Sequence, residues 1–173
     1  MVFSSVTFLF YFLPIVLIAY FISPKRLRNA ILAVSSLLFY AWGEPRYIVI
    51  MLFSTALDYT CGLMIARARR RGGTGKGFLL VSMIGNLSVL GFFKYYNFLA
   101  GSVLALVGVQ GLPAFDVALP IGISFYTFQT MSYTIDVYRG KGAAQRNLIN
   151  FATFVAMFPQ LIAGPIVKYT DIA

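Results

Sequence analysis

The feature that most constrains this chain is a series of long apolar runs from which charge is absent. Residues 6–22 hold no charged side chain, nor do residues 78–93 and 117–135, and residues 47–66 hold only Asp58. A helix needs about 20 mostly apolar residues, with a range of roughly 17–25, to cross the hydrocarbon of a bilayer. Inside that medium each backbone N–H and C=O must find its partner within the segment, so helices are the favoured solution. Shorter apolar runs occupy 30–42, which stops at Gly43-Glu44-Pro45, and 151–163, which stops at Gly164-Pro165. Composition agrees: 60% of the 173 residues are hydrophobic and 11% are charged, against about 45–50% and about 25% in soluble domains. Charge this sparse does not cover a water-facing surface. The expected fold class is therefore an all-α, polytopic transmembrane protein forming one membrane domain. Its predicted spans are 6–22, 28–42, 47–66, 78–96, 117–136 and 149–165. Residues 98–109 are expected as an interfacial or re-entrant helix, and Pro120 in the first turn of the fifth span, where a missing N–H costs little.

The formal net charge of +9 would suggest nucleic acid in a soluble protein. Here the cations fill the gaps between apolar runs, which is how membrane proteins set orientation, and no nucleic-acid partner is expected. Lys25, Arg26 and Arg28, the segment from Arg67 to Lys76, and Arg139, Lys141 and Arg146 together hold 11 of the 14 cationic residues. Placing all three groups on the cytoplasmic side puts the N-terminus on the other side. The first run lacks a basic leader and a small-residue cleavage site, so it is expected to be retained as a span. Cys61 is the one cysteine, so no internal disulfide forms.

Polar residues in hydrocarbon call for a partner or a cavity. Asp58 lies eight residues before the inner end of its run, and Asn86 eight residues after the inner start of the next. At about 1.5 Å per residue both sit roughly 12 Å deep on consecutive antiparallel helices, which predicts a hydrogen-bonded pair. In the fifth run, Gly122, Tyr126, Gln129, Tyr133 and Asp136 recur at helical spacing and share one stripe. Ser124, Thr127 and Thr134 are expected on the other side, bonded to their own backbone. The stripe either packs against a neighbouring helix or lines a substrate path.

Catalytic options are few. The chain has no His, so no Ser-His-Asp arrangement exists and the commonest general base is missing. Gly72-Gly73-Thr74-Gly75-Lys76 follows no strand and lacks phosphate-loop spacing. No metal-ligand cluster and no bound cofactor are expected. No catalytic residue is assigned.

Four segments carry a resemblance. They are Phe39-Tyr40-Ala41-Trp42-Gly43-Glu44-Pro45; Phe92-Phe93-Lys94-Tyr95-Tyr96-Asn97-Phe98; Leu119-Pro120-Ile121-Gly122-Ile123-Ser124-Phe125-Tyr126-Thr127-Phe128-Gln129, running on to Tyr133 and Asp136-Val137-Tyr138-Arg139-Gly140; and Phe158-Pro159-Gln160-Leu161-Ile162-Ala163-Gly164-Pro165-Ile166-Val167. In this order and at these spacings they resemble the membrane-bound O-acyltransferase (MBOAT) family, in its bacterial alginate O-acetyltransferase branch. The resemblance implies an N-terminal portion of a longer protein of the bacterial inner membrane. Such a protein moves an acetyl group from a cytoplasmic donor, acetyl-CoA or another acyl donor, to a hydroxyl of an exported polysaccharide such as alginate. The catalytic His would lie in C-terminal helices beyond these residues, and this chain alone would be inactive. The implied partners are the lipid bilayer, those remaining MBOAT helices, periplasmic acetyltransferase proteins and the polysaccharide acceptor.

On that resemblance Tyr126, Gln129, Tyr133, Asp136 and Gln160 are the candidates for lining or supporting a substrate path. Arg139 and Lys141 are candidates for a donor phosphate, and Asp58 and Asn86 a structural polar pair. Two other readings fit the residues alone: a transporter or channel subunit using Asp58 and the 122–136 stripe, and a membrane scaffold docking partners through its basic loops.

Overall fold

A computed structural model of the chain describes residues 5–107 and 119–163. The described residues are helical with no strand. A helix over residues 6–22 contains a π-helical stretch, Phe8–Phe12, that continues into α1 (Leu13–Ile22). Pro14 explains the widened turn. It has no N–H to give to the carbonyl four residues back, and its ring crowds that carbonyl. The ladder opens instead, and Leu13 N–H bonds to the Phe8 carbonyl.

The remaining helices are α2 (Arg28–Gly43), α3 (Ile48–Arg70), α4 (Lys76–Val107), α5 (Ile123–Arg139), α6 (Leu148–Ala156) and α7 (Phe158–Ala163). The segments Ile48–Arg70 and Lys76–Leu99 are long and apolar enough to cross a membrane. Helix α3 ends with Arg67, Arg69 and Arg70 in its last turn, where cations complement the negative end of the helix dipole. Helix α5 ends on Gly140 at φ 76°, with Lys141 N–H reaching back 3.0 Å to the Asp136 carbonyl; a left-handed closing residue of this kind favours glycine. Helix α6 opens on Asn147, whose side chain accepts from Ile149 N at 2.9 Å.

Packing centres on α5, which lies against α3 and α4, while α2 lies against α6. One core cluster joins Tyr40, Met51, Ile65, Ile123, Tyr126, Tyr133 and Phe151. A second joins Phe8, Val16, Phe39 and Phe158, with the Phe8 ring 5.3 Å from Phe39 and 5.7 Å from Phe158 in edge-on contacts. Much of the outer surface is apolar: Phe10, Phe21, Ile22, Trp42 and Phe98 are each about 70% exposed or more. That is the surface expected to meet lipid.

Three sequence expectations change. No break separates residues 78–96 from a helix at 98–109; α4 runs unbroken to Val107, and 108–109 lie outside the described residues. Lys94-Tyr95-Tyr96-Asn97 is polar but contains neither Gly nor Pro, so the backbone has no reason to stop there. Helix α5 starts at Ile123, after Gly122 at φ 76°, so Pro120 precedes the helix; residues 117–118 lie outside the described residues. The final run is two helices, with Met157 between them at φ −52°, ψ 113°. Pro159 accounts for this, because it has no N–H to donate to the Val155 carbonyl and its ring would crowd that carbonyl in a continuous helix; it sits instead in the first turn of α7, where a missing N–H costs little. The Gly164-Pro165 end of that run also lies outside the described residues.

Candidate functional site

Helix α5 buries two adjacent flanks. Tyr126, Gln129 and Tyr133 on one flank are 0–3% exposed, and Thr127, Thr130 and Thr134 on the other are 0% exposed. Phe125 and Phe128 on the remaining side are exposed. The polar stripe therefore faces protein. Gln129 Nε2 donates to the Phe154 carbonyl at 2.8 Å, satisfying an acceptor at the end of α6 where regular helix bonding stops. The Tyr133 ring lies 4.6 Å from the Phe151 ring, and its hydroxyl accepts from Gln145 N at 3.0 Å. Tyr133 also lies directly against Gly62 of α3. Asp136 is half-buried with Oδ2 unpaired.

The Thr flank joins Asp58. Asn86 Nδ2 donates to Asp58 Oδ2 at 2.7 Å, across α3 and α4, where depth arithmetic puts the two residues. Ser82 Oγ donates to Asp58 Oδ1 at 2.5 Å and lies 3.0 Å from Thr134 Oγ1. Asp58, Ser82, Asn86 and Thr134 are all essentially inaccessible. Three helices are thus tied by one buried polar network, of which the sequence indicates two members. Ser82 was findable, since it lies one helical turn from Asn86 on the same face. Thr134 does bond its own backbone, to the Met131 carbonyl at 2.9 Å. Thr127 does not: its hydroxyl is buried without a partner among the described residues, on a flank that is turned into the core.

Three of the four signature segments meet at one end of the bundle. Phe39 and Phe158 rings are 5.8 Å apart. A Cβ added at Gly122 would lie 3.0 Å from the Leu161 side chain. The Tyr40 and Tyr126 hydroxyls neighbour each other, yet neither meets hydrogen-bond geometry with a partner among the described residues. Gln160 is half-buried on α7, with a buried Nε2 that has no partner among the described residues. Buried polar atoms left unused in this way are costly; Tyr40, Tyr126 and Gln160 carry three of them where the segments converge, and others lie elsewhere, among them Ser36, Ser54 and Asp136.

The opposite end carries a cleft of about 450 Å³. Arg69 and Arg70 from α3 and Arg146 from the strap before α6 line it, together with Leu63, Ala66 and Val137. Arg139 and Lys141 do not line this cleft; both are exposed on the adjoining turn. Sequence reading assigned Arg69, Arg70 and Arg146 only to orientation. Their convergence depends on how α3, α5 and the strap pack, which no local spacing reveals. Among the described residues no group of His, Cys, Asp or Glu is arranged to hold a metal.

Fold, surface and buried polar network together define an all-helical membrane protein. Over its full length the chain is 47% identical to "Probable alginate O-acetylase AlgI" of Pseudomonas syringae pv. tomato, covering 34% of that protein. It is 45% identical to the protein of the same name from Azotobacter vinelandii, over 99% of this chain and 35% of the relative. A "Peptidoglycan O-acetyltransferase" of Helicobacter pylori is 28% identical over 99% of this chain and 38% of the relative. The resemblance to the alginate O-acetyltransferase branch thus extends across the whole chain, which spans about a third of the length of these relatives. No protein-family model matches the chain, and no solved structure matches it.

Proposed function

We propose that this chain is one portion of a membrane O-acetyltransferase that places acetyl groups on the hydroxyls of a polysaccharide. The observation that carries this reading is the unbroken similarity, at 47% identity, to an alginate O-acetylase. The reaction needs a base to take the acceptor's hydroxyl proton as its oxygen attacks the acyl carbonyl. It also needs donors for the resulting oxyanion before the thiolate leaves. With no His in 173 residues, the base comes from polypeptide beyond this chain.

The present residues supply wall and support. Tyr126, beside Tyr40, and Gln160 on α7 offer polar atoms unused among the described residues at the end where the signature segments meet. Gln129 and Tyr133 hold α5 against α6 and the strap, and Asp136 sits at the far end of the same stripe. The three basic groups are cytoplasmic and the N-terminus is not, as the distribution of Lys and Arg favours in an inner membrane. Arg139 and Lys141 then face a cytoplasmic acetyl-CoA donor. The acceptor is an exported glycan such as alginate, handled with periplasmic acetyltransferase partners on the other side.

The test is a chimera in which this chain replaces the matching third of the Pseudomonas syringae relative in a strain lacking its own enzyme. Ester-linked acetate on secreted alginate is then measured. Acetylation by the chimera, and none by the 173-residue chain alone, is expected. A chimera that accumulates in the membrane at normal levels but leaves alginate unacetylated refutes the assignment.

A further inference from the structure

The cleft at the α3–α5 end has a lining that the acyl-transfer chemistry leaves unused. Arg69 and Arg70 enter from the last turn of α3, Arg146 enters from the strap, and among the described residues no acidic side chain lines the space. Asp136, the nearest acidic residue on α5, is not part of its wall. The ends of α3 and α5 each contribute roughly half a negative charge, which three full cations outweigh.

The walls are fixed before any ligand arrives. Tyr59 Oη donates to the Arg146 carbonyl at 2.6 Å, and Gln145 N is bonded to the Tyr133 hydroxyl, so the strap is pinned at consecutive residues. Arg69 Nη1 donates to the Val137 carbonyl at 3.0 Å. A guanidinium has five N–H donors in a fork suited to phosphate oxygens, so most of that capacity is left over. The rest of the wall is apolar: Leu63 and Ala66 lie on α3 one to two turns deeper than the arginines, with Val137 opposite.

We propose that this cleft binds the phosphate of an anionic phospholipid, with the arginines on the headgroup and Leu63, Ala66 and Val137 against the start of the acyl chains. Size and lining select an amphiphile. A cavity of about 450 Å³ is of the order of a small-molecule site, roughly 300–1,000 Å³, and a bare phosphate ion would leave most of it, including the apolar wall, unfilled. Basic pockets between membrane helices on the cytoplasmic side are suited to lipid headgroups. The proposal rests on the membrane setting and not on acetyl transfer.

The test uses the purified 173-residue chain in neutral detergent, titrated with dioctanoyl phosphatidylglycerol, dioctanoyl phosphatidylcholine and coenzyme A, with bound ligand read by native mass spectrometry. Phosphatidylglycerol should bind at least tenfold more tightly than phosphatidylcholine and resist displacement by coenzyme A. R70Q and R146Q, both at exposed positions, should each weaken it about tenfold with unchanged circular dichroism, and R26Q should not. Failure of phosphatidylglycerol to bind, equal binding of the two lipids, or full binding by R70Q and R146Q overturns the proposal. Displacement of lipid by coenzyme A also overturns it and assigns the cleft to a soluble phosphate ester. Because the readout is binding, inactivity of the acetylation chimera leaves this result intact.

Discussion

Replacing Gly62 by Ala places a methyl group where the structure has no room. The new Cβ would lie 2.6 Å from both Cε1 and Oη of Tyr133 and 2.9 Å from Cζ. Carbon atoms in contact normally sit about 3.5–4.0 Å apart, so the ring would have to withdraw by roughly 1 Å. It has nowhere to go. Tyr133 and Phe151 are both 0% exposed, their rings are 4.6 Å apart, and the phenol is tied to Gln145 N. Overpacking of this kind costs about 1–3 kcal/mol, and losing the Gln145 bond adds about 0.5–1.5 kcal/mol. Alanine returns up to about 1 kcal/mol of helix propensity. The net expectation is a loss of about 0.5–4.5 kcal/mol, measured by equilibrium unfolding in mixed micelles with helicity as the signal. Gly91, where an added Cβ meets nothing within 4 Å, is the control, and G91A should hold or gain stability. Shortening the partner in Y133L should recover part of the G62A loss in a double-mutant cycle. A G62A protein as stable as G91A, or a cycle with no coupling, would refute close contact between α3 and α5 at this point.

Three further substitutions probe the same framework. D58L strands the Ser82 and Asn86 donors in the membrane interior and should cost about 1–3 kcal/mol, seen as reduced folded yield on size-exclusion chromatography, with D58N much milder. G140A forces a Cβ into the left-handed region, worth about 1–2 kcal/mol, and drives it against the Arg69 guanidinium; lower thermal stability and weaker lipid retention in the cleft should appear together. Q129L removes the donor to the Phe154 carbonyl and should cost about 1 kcal/mol, with hydrogen exchange rising at the α6–α7 junction and not in α3.

Fold class and most helix positions were legible because hydrocarbon permits so few structures. Depth arithmetic from the basic ends reached the Asp58 and Asn86 contact for the same reason: two antiparallel spans with a short link have one natural register. The arithmetic stops at two helices. Thr134 joins the network because of how α5 is rotated against α3 and α4, and the 3.6-residue repeat places residues on a face without saying which face turns inward. Both flanks of α5 turn inward, so its polar stripe proved one half of a buried surface. The break at Met157 and the π-helical turn before Leu13 have local causes in Pro159 and Pro14. The extension of α4 past Asn97 shows the converse, that polarity without Gly or Pro does not end a helix.

The two ends of the bundle differ chemically, and the difference orders the chain's features along one axis. At the end where α2 finishes and α5 begins, the signature segments pack Phe39 on Phe158 and Gly122 on Leu161, and the buried Tyr40 and Tyr126 hydroxyls have no hydrogen-bond partner among the described residues. At the other end, Arg69, Arg70 and Arg146 surround an open cleft. Between them lies the Asp58 network, whose hydrogen bonds run from α3 to α4 and from α4 to α5. A unit built to fold with further helices should spend its internal polar partners on its own helix contacts and keep unused polar atoms where other helices arrive. Asp58, Ser82 and Gln129 are spent in this way; among the described residues Tyr40, Tyr126 and Gln160 leave polar atoms unspent, and so do Ser36, Ser54, Thr127 and Asp136 elsewhere in the bundle. If the chain is one portion of a longer acetyltransferase, as proposed, polar atoms from its further helices should engage Tyr126 and Gln160. Crosslinks from cysteines introduced beside those two residues should form to added C-terminal helices, and crosslinks from a cysteine beside Asp58 should not.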